Sequence, residues 1–401
     1  MSLLLKRLVK TAALLPVIAL VSNAQGAQPQ SVGPEEGDCA ATEVSNSYVS
    51  VNCTLKGVNK AWLLNIDSKK LSHLKPPQDG NSCKSGSMAY NLVTGTCSTA
   101  AGPVSVTWRT SAPDIDPQPL KPLASDTGTE LGTATFFGNV TGQSISPTGH
   151  TAVVWPSAKK GDPVQVSDRN DNCRAASIVD SPSYTLPTLA LNCPSTRGSS
   201  IAKVATFNGS NYVMELLKLP ATADYCQLIG INRLNQVAGT CHLTDKTTVA
   251  TFWPQIQAEP QTLKHEKNLP TEAVFFNDNG SMIISETTSR RTFNAYWSVP
   301  FNAYEPLLPP TEFNICHANA LAQSRDIVLV TCSTNDSSKP ITVQTWEPRK
   351  PAPFNERFIS INAAEGTINQ GKSLTATGNK VVGYSKPDAN AESRAFLSEL
   401  Y

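Results

Sequence analysis

Between residues 226 and 263 short runs of β-branched and apolar residues alternate with polar turns in the order expected of four strands. Cys226-Gln-Leu-Ile-Gly-Ile231 and Val237-Ala-Gly-Thr-Cys241 flank the polar Asn232-Arg-Leu-Asn235, which is a hairpin signal. Thr248-Val-Ala-Thr-Phe-Trp253 reads as a third strand, and a weaker fourth run ends at Leu263. The same order recurs along the chain. The third strand usually alternates small and β-branched residues before an aromatic, as in Val104-Ser-Val-Thr-Trp108, and the fourth ends near a leucine and a proline-rich connection, as at Pro117 to Pro122 and Leu307 to Pro310. Four short antiparallel strands per unit describe a propeller blade.

The cysteines and large aromatics mark the period. All ten cysteines fall into close pairs: Cys39 with Cys53, Cys83 with Cys97, Cys173 with Cys193, Cys226 with Cys241, and Cys316 with Cys332. A turn centred near Arg233 and Leu234 puts Cys226 opposite Cys241, where two α-carbons can approach closely enough for a bridge. The same symmetry places Asn46, Tyr90 and Ser324 at other hairpin tips. The aromatics Trp62, Trp108, Trp155, Phe207, Trp253, Trp297, Trp346 and Phe396 are spaced by 44 to 52 residues, a period typical of propellers and solenoids. Their common register predicts packing between blades rather than a carbohydrate-stacking set. The expected organisation is therefore a signal peptide over 1–24 and one all-β domain over 25–401. That domain is an eight-bladed β-propeller with units at about 38–75, 76–122, 123–165, 166–218, 219–265, 266–308, 309–355 and 356–401, with seven blades as the alternative. Units three, six and eight lack a cystine; unit six has the strong turn sequence Asn277-Asp-Asn-Gly280, and unit eight has Gly378-Asn379 at its tip.

Gly230-Ile-Asn-Arg-Leu-Asn-Gln-Val-Ala-Gly239 and Thr377-Gly-Asn-Lys-Val-Val-Gly383, each followed by a strand such as Arg394-Ala-Phe-Leu397, resemble the extracellular HAF-type repeats of secreted bacterial proteins. The resemblance covers two or three units well and the others by register. It implies a β-propeller and no particular activity.

Composition adds the compartment. Lys6, Arg7 and Lys10 precede the apolar run Thr11 to Val21 and the small-x-small site Ser22-Asn23-Ala24, the layout of a secretory signal. Export, to the periplasm or the exterior, agrees with cysteines paired as disulfides. Without the three basic residues of the signal the chain carries 30 Lys+Arg against 32 Asp+Glu, so no basic field is present to attract nucleic acid or an acidic membrane. No stretch is long and apolar enough for a membrane span, and a monomer is expected.

Searches for chemistry return little. Asp126-Thr-Gly-Thr129 has the letters of an aspartic-protease loop but no second copy with which to share a proton. His242 and His317 each follow a cysteine and read as strand residues rather than ligands. Asp168-Arg-Asn-Asp-Asn172 starts like a calcium loop, yet Cys173 stands at the sixth position and Val179 at the twelfth, so it reads as a polar connection and no cofactor is called for. Five Asn-x-Ser/Thr sequons, beginning at Asn52, Asn139, Asn208, Asn279 and Asn335, carry no weight in a chain this rich in those residues. No catalytic, cofactor or metal residue is assigned. The expected function is that of an exported, non-catalytic binding protein whose loops on one face hold a protein or glycan partner, an inhibitor or immunity-type protein being one instance. The alternative is a secreted glycan lyase or hydrolase with its site at the central channel. The ring is expected to close through residues near Gln28 to Val32, pairing beside the Cys39 or Phe396 strands.

Overall fold

The structure, a computed structural model, describes residues 29–400 apart from Tyr90, Arg290 and the segments 158–160, 181–185, 196–198, 264–268, 337–338, 351–356 and 362–367. The signal peptide, Gln28 of the expected closing segment and the Tyr90 tip lie outside the described residues. The described residues form eight four-stranded antiparallel sheets, in seven of which each strand pairs with its neighbour in chain order. The first strands of the eight blades are Asp38–Val44, Gly80–Met88, Gly128–Ala134, Arg174–Val179, Ala223–Ile231, Thr271–Phe276, Ile315–Leu321 and Ile368–Leu374. Each touches the first strands of both neighbouring blades, so these eight strands surround the central axis and the short fourth strands lie at the rim. The fourth strand of blade seven is Phe358–Ile361, inside the span expected for unit eight, so the boundary between those units falls later than the sequence suggested.

Blade eight has only three strands of its own, and Gln30–Ser31 completes it. Gln30 faces Leu397 and Ser31 faces Phe396, as expected of a closing strand. The seam continues where Val32 N–H donates to the Ala395 carbonyl (2.9 Å) and Cys39 N–H to the Ser393 carbonyl (2.8 Å). The Ser393 hydroxyl and N–H both donate to Asp38, and these bonds hold the Asp38 carboxyl below its usual range.

The five disulfides join the expected partners, each between the first and second strands of one blade. They sit on the blade face turned toward the preceding blade, among apolar residues of both. Cys226, Cys241 and Trp253, for example, pack against Ala190, Val204 and Leu217 of blade four. Where the cystine is missing, polar pairs occupy the same register: Thr129 opposite Ser144, Thr271 opposite Glu286, and Asn369 opposite Ser385.

The aromatic series is less uniform than its spacing implied. Trp108, Trp155, Trp253, Trp297 and Trp346 share one register, opposite the second-strand residue four places before the cystine register, at Val93, Val140, Val237, Met282 and Val328, and all five are buried. Trp62, Phe207 and Phe396 do not. The equivalent positions hold Leu64, Ala205 and Ser398, opposite Val49, Leu189 and Val381. Trp62 and Phe396 sit two residues before that position and Phe207 two after it, and Trp62 and Phe207 are only half-buried. Residues two apart on a strand share a face, so spacing counted from a cysteine across connections of varying length cannot separate them. In blades two and three the indole needs a glycine across the ladder: a Cβ on Gly95 would lie 2.5 Å from Trp108, and one on Gly142 2.8 Å from Trp155.

Three of these indoles also tie blades together. Trp108, Trp155 and Trp253 Nε1 donate to the carbonyls of Lys75 (2.6 Å), Lys121 (2.7 Å) and Lys218 (2.8 Å), each in the connection from the preceding blade. The same three lysines pair through Nζ with Asp116, Asp162 and Glu259 in the connection between the third and fourth strands of the following blade. Each follows a buried leucine, Leu74, Leu120 or Leu217, so a repeated Leu-Lys marks the inter-blade joint.

Candidate binding face

Every blade carries a bulge or irregularity in its first strand at an equivalent place, from Ala41/Glu43 in blade one to Gly371/Ser373 in blade eight. The first strand is also the inner edge of its sheet, so the backbone groups that face away from the ladder just before the bulge must find other partners. Side chains of the preceding blade supply them. Asn52 accepts from Ser85 N–H and donates to its carbonyl (2.8 and 2.9 Å), and Asn192 does the same for Leu228 (2.7 and 2.9 Å). Thr240 accepts from Ala273 N–H and Asn294 from Ala318 N–H, both at 2.9 Å. Asn52 is thereby engaged in the ring, and Asn139 is buried and donates to Asp180 (3.1 Å).

The first-strand position one residue after the disulfide register holds Ala40, Lys84, Glu130, Arg174, Gln227, Glu272, His317 and Gln370 around the ring, and the six from Lys84 to His317 are exposed. Glu130 and Arg174, on adjacent blades, approach to 3.8 Å, so this register forms a polar collar of mixed sign. Beyond the bulge stands Glu43, half-buried and enclosed by the inner strands. Burial raises its carboxyl to about 7, opposed by a hydrogen bond from Ser373.

The remaining candidates are structural in their contacts. Asp126 accepts from Ser144 Oγ (2.5 Å) and pairs with Arg169 (2.9 Å), so its carboxylate ties the connection that enters blade three to that blade and to the connection that leaves it. In the 168–172 segment, Asp171 Oδ1 accepts from Ser167 Oγ and Cys173 N–H, Asn170 Oδ1 from Ser146 Oγ, and Asn172 Oδ1 from His150 N–H. These oxygens point to protein donors. Asp171, Cys173 and Cys193 lie close enough to suggest a metal cluster, but both sulfurs are joined in a disulfide. His242 stacks on Tyr225 with ring centroids 4.3 Å apart, whereas His317 is in the collar two blades away; the structure does not bring them together.

What the sequence reading missed is an asymmetry between the two ends of the ring. In an antiparallel blade the connections between strands one and two and between three and four share one end. Ile115, Phe136, Phe137, Leu234 and Phe301 all lie in those connections, between 56 and 67 % exposed. At the opposite end, among the described residues, fewer such side chains are exposed: Leu216 at the close of a rim strand, and Leu219 and Leu308 in blade-to-blade connections. The apolar tips stand on cross-linked hairpins. Asn232 Oδ1 accepts from Leu234 and Gln236 N–H, closing its own turn, and Asn277 Oδ1 does likewise from Asn279 and Ser281 N–H. Their amides then reach onward: Asn232 Nδ2 to the Asn277 carbonyl (3.2 Å), and Asn277 Nδ2 to the Ala322 and Arg325 carbonyls (3.3 Å each) and to Asp326 (3.1 Å). Ser324 N–H and Oγ donate to the Ala376 carbonyl, both at 2.9 Å, so the tips of blades five to eight form one connected chain.

No protein-family model matches the chain and no curated protein matches it in sequence. Among solved structures it is similar to oligopeptidase B from Leishmania major (TM-score 0.54, 9 % identity, covering 89 % of this chain and 54 % of that one). It is also similar to prolyl oligopeptidase B from Galerina marginata (0.54, 12 %, 87 % and 56 %) and to a puromycin-hydrolysing peptidase of Mycobacterium tuberculosis (0.53, 11 %, 91 % and 62 %). The chain spans little more than half the length of these peptidases, and at such identity the likeness is one of fold. The class defined is a disulfide-stapled, eight-bladed β-propeller. Its five disulfides point to an oxidising, exported location, and among the described residues no helix is long and apolar enough to cross a membrane.

Proposed function

We propose that the protein is an exported, non-catalytic binding protein that holds a protein partner with the loops at the hairpin-tip end of the ring, in the periplasm or outside the cell. The observation that carries this reading is the gathering of Ile115, Phe136, Phe137, Leu234 and Phe301 at that end. Exposed apolar side chains on rigid supports act as anchors that lose little entropy on binding, and a protein surface offers the matching apolar pockets. A stoichiometric partner captured from the source's exported proteins should be lost when Phe137, Leu234 and Phe301 are changed to serine, and retained when Leu219 and Leu308 are. Equal retention by both variants would remove the reading.

One observation favours the second class, a glycan-cleaving enzyme with its site in the channel: Glu43, raised to about 7, has the ionisation suited to a general acid near neutral pH. Turnover of an extracellular polysaccharide that Glu43→Gln abolishes would decide for the enzyme.

A further inference from the structure

A cleft of about 430 Å³ opens on the same face between the hairpin tips of blades six and seven, lined by Asn279, Ser324 to Ile327, and Glu347 to Lys350. That volume is within the range of ligand sites. Its charges are unevenly matched. Asp326 accepts from the Asn277 and Asn279 amides, at 3.1 and 3.4 Å. Glu347 pairs with Lys350 at 3.5 Å. Beside the cleft, Glu305 pairs with Arg357 and accepts from Arg349 N–H. Arg233 and Gln323 likewise engage Asp278. Two cations are left over: among the described residues no carboxylate pairs with the guanidinium of Arg325 or Arg349, and both side chains are exposed.

Arg349 is also held in place. Its backbone lies in the left-handed region (φ 62°), fixed by the bond to Glu305, and its guanidinium sits 4.4 Å from the centroid of the Phe301 ring. Stacking on an aromatic orients the planar fork without consuming its hydrogen-bond donors. Phe301 is 67 % exposed, Ile327 is half-buried and Pro348 buried, so an apolar wall adjoins two unmatched guanidinium groups.

We propose that this cleft binds an acidic segment of a protein partner, with one or two Asp or Glu carboxylates on Arg325 and Arg349 and a neighbouring apolar side chain against Phe301 and Ile327. Guanidinium groups suit planar carboxylates, which they can bind through paired hydrogen bonds. A sugar ring can stack its C–H face on Phe301, but Ile327 and Pro348 beside it extend the apolar surface and offer no side-chain acceptor for its hydroxyl groups, which favours an apolar side chain of a peptide. The inference rests on the reading of this face as the binding face and adds the chemistry of what it holds.

The test uses the mature, disulfide-bonded protein and a fluorescein-labelled peptide alternating Glu or Asp with Phe or Leu. The peptide should bind, bind less tightly as salt rises, and lose at least tenfold in affinity to the Arg325→Glu/Arg349→Glu variant. Lys246→Glu, at the opposite end, should leave affinity unchanged. Arg325→Gln/Arg349→Gln serves in the same way should the charge reversal fail to fold, and a melting curve identifies that case. Absence of binding, or binding insensitive to both arginine variants, overturns the inference. So does an unlabelled oligouronate of equal charge that competes better than unlabelled peptide, since the ligand is then an acidic glycan. A captured partner lost with the Phe137, Leu234 and Phe301 changes but indifferent to the arginine changes would sink this inference and leave the face reading standing. Indifference to both sets removes the two together.

Discussion

Single side chains in this ring do different work at positions that look alike in sequence. Trp253 is fully buried, with its indole N–H on the Lys218 carbonyl, whereas Trp62 is half-buried and lies edge-on to His73 at 4.9 Å. Burial, with Lys60 nearby, holds His73 below the usual imidazole range. Glu43 is the residue whose environment makes the sharpest demand. Its carboxyl is raised from 4.5 to about 7 on folding, so the native state binds more protons than the unfolded chain between those values. The associated stability is fully present below about pH 4.5 and is lost as pH rises to about 7. Denaturant titrations at pH 5 and pH 8 should show the parent losing on the order of 1–3 kcal/mol more than Glu43→Gln. Equal losses would show that the carboxyl titrates normally.

At the scale of the strand and hairpin, a disulfide and a polar pair are interchangeable solutions at one register. Cys226 and Cys241 oppose each other as Asn369 and Ser385 do in blade eight. There the Asn369 amide donates to the Ile341 carbonyl of blade seven (3.0 Å), an inter-blade bond in place of a cystine. Because the backbone geometry repeats, Asn369→Cys with Ser385→Cys should oxidise to a sixth disulfide. The chain-entropy model allows up to about 3 kcal/mol for a loop of this size, less about 1 kcal/mol for the lost hydrogen bond. Thiol titration and a melting curve check it: a persistent pair of free thiols would mean that blade eight departs from the common geometry.

For the molecule as a whole, stability depends on closure. An open ring would leave the Arg394–Glu399 strand as an unpaired edge and uncover the cluster in which Val32 packs with Cys39, Val51 and Ala395. Removing the residues from 25 to 36 after the signal should therefore lower the melting temperature by several degrees and promote association, seen in light scattering. A truncated protein that melts like the parent and stays monomeric would place closure elsewhere.

The repeat, the all-β class, the five pairings and the closing segment were legible in the sequence. Each depends on local pattern: alternation along a strand, turn residues at a tip, and cysteines symmetric about it. Hairpin neighbours are close in the chain, and a period repeated eight times averages out the noise of any one copy. The register of Trp62, Phe207 and Phe396 was not legible, because positions two apart on a strand carry the same pattern and only cross-strand pairing separates them. Nor was the boundary of blade seven, whose fourth strand has no distinctive composition. The candidate face was hidden for a different reason. Phe136, Leu234, Phe301, Arg325 and Arg349 come from four blades, the two arginines sharing the seventh, and are separated in sequence by tens of residues; each alone is an ordinary loop residue. Only the antiparallel order of each blade and closure of the ring set all their connections at one end and bring together there two guanidinium groups that no carboxylate among the described residues pairs with.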